Sequence, residues 1–189
     1  MFSTDSPPVT RGCVDASALA GFESALVGET NGQLKAIPAA KDFDMQEAVK
    51  PIWFGDMNLD TLRTAHVGTL TDHMGIEFVE VGPDFIRGRM PAEARNFQPY
   101  GIIHGGASVV LAETLGSCGA AWSVNPETHR AFGQEVNANH LRPVSEGWVN
   151  GIARPVHRGR RSQVWSIDLT DDKGRATCIA RLTMAVIAL

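Results

Sequence analysis

The sequence predicts an α+β fold in which a curved antiparallel β-sheet wraps around one long central helix. The run Gly105–Val124 is apolar and rich in Ala, Gly and Ser, as expected of a buried helix that a sheet can approach closely. The segments around it have the alternating pattern of strands, and these strands do not alternate with helices. That order disfavours a parallel doubly wound sheet and favours an antiparallel sheet with one helix packed on it.

The 189 residues are enough for one domain with an extension. Residues 1–50 are rich in Ser, Thr, Ala, Asp and Pro, and four Lys or Arg against seven Asp or Glu give them a charge of −3. This composition predicts an extension that is partly disordered or packed on the surface, with short helices at most over Ser17–Val27 and Asp44–Val49. The folded domain is expected over residues 51–189.

The pattern before the central helix predicts one helix and one hairpin. Asn58–Ala65 has the spacing of a short amphipathic helix. Gly75–Val81 and Phe85–Met90 alternate apolar and polar residues on either side of turn residues 82–84, which predicts two paired strands. A loop over Pro91–Gly101 then leads to the central helix.

Four further strands are expected after the central helix. The last two are joined by a tight turn at Asp171–Gly174. Unpaired edge strands in such a sheet are commonly satisfied by pairing across a two-fold axis, so the sequence predicts at least a dimer. The predicted strands are Ala131–Leu141, Trp148–Val156, Gln163–Thr170 and Ala176–Ala188.

Composition and motifs argue against several classes of protein. A net charge of −4 gives no indication of binding to nucleic acid or an anionic membrane. Three distant cysteines without a CxxC pair predict neither a disulfide framework nor a zinc ribbon, and fit a reducing cytoplasm. The N-terminus lacks the pattern of a signal peptide. No HExxH, GxGxxG or P-loop is present, and the six histidines lack metal-ligand spacing, so no metal is expected.

Glu113 is the one charged residue of the central apolar run. An ionised carboxylate in an apolar interior costs several kcal/mol unless it is paired or hydrogen-bonded. An exposed helix face or an arginine partner would explain Glu113, and so would a role as catalytic acid or base. Ser117 lies one turn further on the same face, where it could hold a water or simply pack.

The helix opens with Gly105 and Gly106, directly after His104. First-turn N–H groups have no acceptor within a helix and lie at its positive end, so they could polarise a carbonyl; ordinary turn glycines are the alternative. At roughly 1.5 Å per residue, Glu113 lies about 12 Å along the axis from Gly105. One chain therefore cannot easily present a carbonyl to both groups, which predicts a site completed by another segment, such as one of a second subunit.

A basic stretch, Arg154–Arg161, has four arginines and His157 within eight residues. Arginine binds phosphate with two parallel hydrogen bonds, so the stretch is either a phosphate site or a solvated strand end. His140 and Arg142, at the end of an earlier strand, could join it. A pantetheine-linked nucleotide has phosphates at one end and a thioester carbonyl at the other, and would connect this stretch to Glu113.

The segment NFQPYGIIHGGASVVLAETLGS resembles the hotdog-fold acyl-CoA thioesterases that have a Glu on the central helix. This branch includes the 4-hydroxybenzoyl-CoA thioesterases with HGGAxxxLAE, and the segment is most similar to the 1,4-dihydroxy-2-naphthoyl-CoA thioesterases of menaquinone biosynthesis. NANH at 137–140, PVHRGRRSQVW at 155–165 and DKGR at 172–175 match as well. The similarity runs from about Ile52 to the C-terminus. It implies a hotdog fold, assembly into dimers or tetramers, and an aromatic acyl-CoA as substrate.

The resemblance also implies a role for individual residues. Glu113 would be the nucleophile or general base, and the Gly105 amide would polarise the thioester carbonyl. Gln98 and His104 would position the thioester, and Ser117 the hydrolytic water. Coenzyme A belongs to the substrate, so no separate cofactor is implied. The positions implied for coenzyme A binding are Gly133, His140, Leu141, Arg142, Pro143, His157, Arg158, Gly159, Arg160, Arg161 and Ser162.

Two other functions remain open from the sequence. A hotdog hydratase or dehydratase would act on acyl thioesters too, but that class has its acid and base in a different motif. A non-catalytic acyl-CoA sensor could use residues 1–50 as an arm that binds a partner. The acyl group is not fixed by these residues, because Trp122 and Phe132 could line an acyl pocket or belong to the core.

Overall fold

A computed structural model describes residues 50–189 of the chain. The predictions for the segment before Lys50, including its two short helices, lie outside the described residues. One six-stranded sheet has the order β1-β2-β4-β5-β6-β3, and all its neighbouring strands are antiparallel. The elements are α1 (Leu59–Ala65), α2 (Leu70–His73), β1 (Glu77–Val81), β2 (Ile86–Pro91), α3 (Gly105–Trp122), β3 (His129–His140), β4 (Trp148–Arg158), β5 (Ser162–Thr170) and β6 (Ala176–Ala188).

The α+β prediction is confirmed, and each element predicted between residues 51 and 189 is present within a few residues of its expected ends. Two short elements were not predicted: α2 and a single 3₁₀ turn over Ala94–Asn96. Both are shorter than the window over which a helical period can be recognised. None of the helices over residues 50–189 combines the length and apolarity needed to span a membrane.

Glycines on α3 determine how closely the helix meets the sheet. A Cβ at Gly119 would lie 2.5 Å from the ring of Trp165, and one at Gly116 would lie 2.7 Å from a methyl carbon of Leu182. Real Cβ atoms do not come this close to other carbons, so the helix can approach β5 and β6 only because these positions lack side chains. The rotation of α3 about its axis is therefore fixed by contacts with the sheet.

The chain enters the domain along a short segment bound to the C-terminal end of α3. The Trp53 indole N–H donates to the carbonyl of Gly82 at 2.7 Å. The Arg158 guanidinium donates to the carbonyls of Ile52 (3.3 Å) and Ser123 (3.2 Å). Arg158 thereby joins β4, the entering segment and the residue that follows α3.

The sheet has two edges, β1 and β3. β3 is 12 residues long, and within the described chain only its β6 side is paired. A register shift between Gly133 and Glu135 interrupts this pairing with a bulge. A long edge strand of this kind is a template for pairing with a second chain.

Candidate active site

The N-terminus of α3 leaves one backbone amide free. His104 is the N-cap, and its Nδ1 accepts a hydrogen bond from the Gly106 N–H at 2.8 Å. The Gly105 N–H has no hydrogen-bond acceptor among residues 50–189. Since it lies at the positive end of the helix dipole, it can donate to a carbonyl oxygen of a bound molecule. His104 therefore caps the first turn of α3. Its contact with a thioester stays a prediction.

The free amide opens into a cleft of about 420 Å³, which we call the amide cleft. The structure brings Gln98, Gly105 and His140–Pro143 together here. A Cβ at Gly105 would lie 2.9 Å from Nε2 of His140, so a larger residue at this position would displace the imidazole ring. Arg142 donates from its guanidinium to the carbonyl of Ala176 at 2.8 Å. The other residues that line the cleft are Ile102, Ile103, Ser108, Val144 and Thr177.

Glu113 lies outside the amide cleft, on the side of α3 that faces β3. The side chain is half-buried, and a Cβ at Gly133 would lie 3.0 Å from its Oε1. Within residues 50–189 the carboxylate has no ion pair and no hydrogen bond. Its neighbour one turn on, Ser117, donates weakly to the sulfur of Met184 at 3.8 Å. An ionisable group is thus held against the edge strand without a partner from its own described chain.

Of the remaining residues predicted to bind coenzyme A, Gly133 lies on β3 opposite Glu113, and the others form the basic hairpin, residues 157–162, between β4 and β5. The Gly159 N–H donates to the Ser162 carbonyl at 2.9 Å and closes the turn. Arg160 and Arg161 are exposed and line a second cleft, of about 320 Å³, together with His129. The basic hairpin lies at the C-terminal end of α3, about 25 Å from the amide cleft at 1.5 Å per residue. In one chain, therefore, the predicted coenzyme A residues form two separate groups.

An apolar groove of about 280 Å³ lies beside the C-terminal end of α3, and we call it the Trp122 groove. Phe54, Trp122 and Ala131 are among the residues that line it. Ala131 is two residues from Gly133 on the same face of β3, so the groove begins about 7 Å along the strand from the position that faces Glu113. The second residue considered for an acyl pocket, Phe132, does not line the groove and is 56% exposed on the other face of the sheet.

A cysteine–histidine contact in the core was not predicted from the sequence. Sγ of Cys118 lies 3.5 Å from Nε2 of His66, whose Nδ1 lies 2.7 Å from the carbonyl of Leu62. Nδ1 must therefore hold the proton, and Nε2 accepts from the thiol. Burial raises the pKa of the Cys118 thiol to about 12, so the contact is a neutral S–H···N hydrogen bond and not an activated nucleophile.

An antiparallel sheet around one buried helix is the architecture of the hotdog fold, a class that includes thioester hydrolases as well as hydratases. Comparison with known proteins agrees: residues 100–178 match the Thioesterase superfamily. The proofreading thioesterase EntH of Cronobacter turicensis is 44% identical over 136 residues, which are 72% of this chain and 98% of that protein. The 1,4-dihydroxy-2-naphthoyl-CoA hydrolase of Escherichia coli K12 is 41% identical over 136 residues, 72% of this chain and 99% of that one.

Solved structures give the same result. A crystal structure of a mutant of thioesterase PA1618 from Pseudomonas aeruginosa has a TM-score of 0.72 at 42% identity and covers 73% of this chain and 99% of its own. Thioesterase HI1161 from Haemophilus influenzae has a TM-score of 0.71 at 39% identity, with 73% and 96% covered. The chain belongs to the thioesterase superfamily. It is a thioester hydrolase, which acts on thioesters of the acyl-CoA type.

Proposed function

We propose that this enzyme hydrolyses an aromatic acyl-CoA, such as 1,4-dihydroxy-2-naphthoyl-CoA or 4-hydroxybenzoyl-CoA, to the free acid and CoA. Glu113 is the nucleophile or general base, and the Gly105 amide polarises the carbonyl. One observation carries this proposal: within the described chain an unpaired carboxylate and an amide without an acceptor occur on the same helix. The two groups are what attack on a carbonyl requires, a base for water and a donor for the developing oxyanion.

Hydrolysis of the thioester requires only water, the Glu113 carboxylate and the Gly105 amide. In the general-base route the oxygen of water bonds to the thioester carbon, and its proton passes to the Glu113 carboxylate. The carbonyl electron pair moves to oxygen, where the Gly105 N–H stabilises it. When the C=O bond re-forms, the C–S bond breaks and the departing thiolate takes up the proton. If Glu113 attacks directly, a mixed anhydride forms, CoA leaves, and water then releases the same acid.

The site is shared by two chains in our proposal. A two-fold axis perpendicular to β3 would pair this edge strand with its copy and run the two α3 helices in opposite directions. The basic hairpin and Glu113 of one chain then approach the amide cleft of the other. This arrangement removes the separation of about 25 Å between the two coenzyme A groups. The functional unit is therefore a homo-oligomer, either a dimer or a dimer of dimers.

The aromatic acyl group is supported by the Trp122 groove, because aromatic side chains favour planar ligands. The E. coli relative with the name 1,4-dihydroxy-2-naphthoyl-CoA hydrolase supports the same substrate class. The resemblance of the sequence to thioesterases of menaquinone biosynthesis favours a place in that pathway. Among the described residues, Cys118 and Cys178 are both free thiols, which suits the cytoplasm. The substrate supplies the coenzyme A, and the proposed chemistry needs no other cofactor.

The test is a thiol-release assay on the full chain with aromatic and aliphatic acyl-CoA thioesters. We expect an aromatic acyl-CoA to give the highest kcat/KM, and Glu113→Gln to lower kcat about 10³-fold while it still binds CoA. A strong preference for long saturated chains would overturn the aromatic assignment. Near wild-type turnover by Glu113→Gln would overturn the role of the carboxylate. Loss of water from a 3-hydroxyacyl-CoA would indicate a hydratase instead.

A further inference from the structure

Strand β6 contains a bulge at the amide cleft. Its pairing with β5 passes from Leu169↔Cys178 to Thr170↔Ala176, so Thr177 is an extra residue without a partner in the register. Thr177 and Cys178 are adjacent, yet both are buried, with 4% and 1% exposed. Successive side chains of a regular strand point to opposite faces, and the bulge changes this for Thr177.

The backbone and the side chain of Thr177 both belong to the amide cleft. The Thr177 carbonyl accepts hydrogen bonds from the N–H groups of Leu141 (2.8 Å) and Arg142 (3.2 Å), which lie in the segment predicted to bind coenzyme A. Thr177 is one of the residues that line the same cleft as the free Gly105 amide. The hydroxyl Oγ1 is buried and has no hydrogen-bond partner among residues 50–189. Such groups are uncommon because an unpaired buried hydroxyl is destabilising.

The chemistry of the amide cleft indicates what this hydroxyl binds. The walls are mainly aliphatic, and besides Thr177 the polar side chains that line the cleft are the neutral groups of Gln98 and Ser108 together with His140 and Arg142. The arginine at the rim, Arg142, already donates to a backbone carbonyl. Neutral hydrogen-bonding groups between apolar walls suit an uncharged amide chain better than a phosphate.

We infer that, when substrate binds, the Thr177 side chain turns its buried hydroxyl into the cleft, where it hydrogen-bonds an amide of the substrate's pantetheine arm and aligns the thioester with the Gly105 amide. The inference rests on the proposed acyl-CoA hydrolysis and adds a binding residue to that site. It explains why the fold retains an unpaired hydroxyl: the partner arrives with the substrate. Removal of the hydroxyl should then weaken substrate binding but leave the fold intact. A group that is kept for function often lowers stability, so its loss need not destabilise the protein.

The experiment compares Thr177→Val, which removes the hydroxyl at constant shape, with Thr177→Ser, which keeps it. Thr183→Val is the matched control, because Thr183 is on the same strand and does not line the cleft. Three thioesters of one aromatic acid are assayed: with CoA, with pantetheine, and with ethanethiol, which has no amide. We expect Thr177→Val to raise KM about tenfold for the first two, to change kcat less than twofold, and to leave ethanethiol ester hydrolysis unchanged. Thr177→Ser and Thr183→Val should keep wild-type KM values.

Two readouts besides activity accompany the assay. Calorimetric titration with CoA should show a similar tenfold weakening for Thr177→Val, and its Tm should be equal to or above the wild-type value. Equal loss on all three thioesters, or no change on any, overturns the inference. A lower Tm or a changed oligomeric state also overturns it, since the hydroxyl would then have a protein partner. If the wild-type enzyme hydrolyses no acyl-CoA, the proposed function fails, while the CoA titration still decides the role of Thr177.

Discussion

At its N-terminal end α3 presents a free amide, a cleft and the His140–Pro143 segment, all within one chain. At its C-terminal end the same helix meets the basic hairpin, where Arg158 donates hydrogen bonds to the carbonyls of Ile52 and Ser123. Glu113 lies between the two ends and faces an edge strand. One chain therefore contains every part of the proposed site, but along α3 it separates the amide cleft from Glu113 by about 12 Å and from the basic hairpin by about 25 Å. Assembly of the site is then a property of the pair of chains.

The largest expected effect is the recovery of activity when two impaired variants are mixed. This experiment tests directly whether two chains share one site. Gly105→Val should lower kcat/KM about 10²-fold, because its side chain collides with His140 and disturbs the amide. Co-refolding equal amounts of Gly105→Val and Glu113→Gln chains should restore about a quarter of wild-type activity, since half of the dimers are hybrids with one intact site. Thiol release by the mixture measures this.

Each variant alone is the control for that mixture. An activity no higher than the mean of the two separate variants would show that Gly105 and Glu113 of the same chain work together. The proposal that two chains share the site would then be wrong.

The arginines of the basic hairpin are expected to have two different roles, substrate binding for Arg160 and Arg161 and stabilisation of the fold for Arg158. Arg160→Met together with Arg161→Met should raise KM for the acyl-CoA more than tenfold, because two exposed guanidinium groups are lost from the proposed phosphate site. Arg158→Met should instead lower Tm by a few degrees, since it removes hydrogen bonds to Ile52 and Ser123. KM and thermal unfolding are measured for both variants. The reverse pattern would show Arg158 to be the phosphate ligand.

Gly133→Ala tests the surface that faces the carboxylate. The added Cβ would lie 3.0 Å from Oε1 of Glu113, close enough to displace it by a few tenths of an ångström. We expect kcat to fall severalfold to about tenfold, with little change in CoA affinity, because positioning of a reacting group is sensitive to small shifts. Calorimetric titration with CoA is the companion measurement, and a loss of affinity at unchanged kcat would assign Gly133 to coenzyme A binding instead.

The turn that leads into β6 is expected to give the smallest effect. Asp171 accepts hydrogen bonds from the Lys173 N–H (3.0 Å), the Arg175 N–H (2.9 Å) and the Arg175 guanidinium (2.7 Å). The Arg175 hydrogen bond lowers the pKa of this carboxyl. A lowered folded pKa means that the stabilisation is present above the unfolded pKa, about 3.9, and is lost as the pH falls through the folded value.

Asp171→Asn should therefore lower Tm by a few degrees at pH 7, and the difference from wild type should shrink below about pH 4. Thermal unfolding of both proteins from pH 3 to pH 7 measures it. A difference that stays constant over this range would mean that the ionised carboxylate is not what stabilises the turn.

Much of the fold could be predicted, because its patterns are local. Alternating strands, the small-residue helix and the turn residues each have a signal within a dozen residues. The separation of Gly105 and Glu113 also followed from the rise of a helix alone. These features need no knowledge of which distant segments meet.

The missed features all depend on contacts between distant segments. The hydrogen bond from the Arg158 guanidinium to the carbonyl of Ile52 joins residues 106 positions apart, and the assignment of Arg158 to coenzyme A binding stays a prediction. The partly buried hydrogen bond between Cys118 of α3 and His66, which caps α1, joins residues that are 52 positions apart. The inward turn of Thr177 depends on the register between two strands, which the sequence of one strand does not specify.

The contacts of Gly116 and Gly119 with the sheet have a consequence for the engineering of this enzyme. A larger side chain at either position would have to roll or lift α3, and Glu113 would move with it. Libraries that aim to alter acyl preference should therefore leave these two glycines constant and vary the Trp122 groove. Variants that lose turnover through Gly116 or Gly119 would be mistaken for active-site mutants, although the change lies where the helix rests on Leu182 and Trp165.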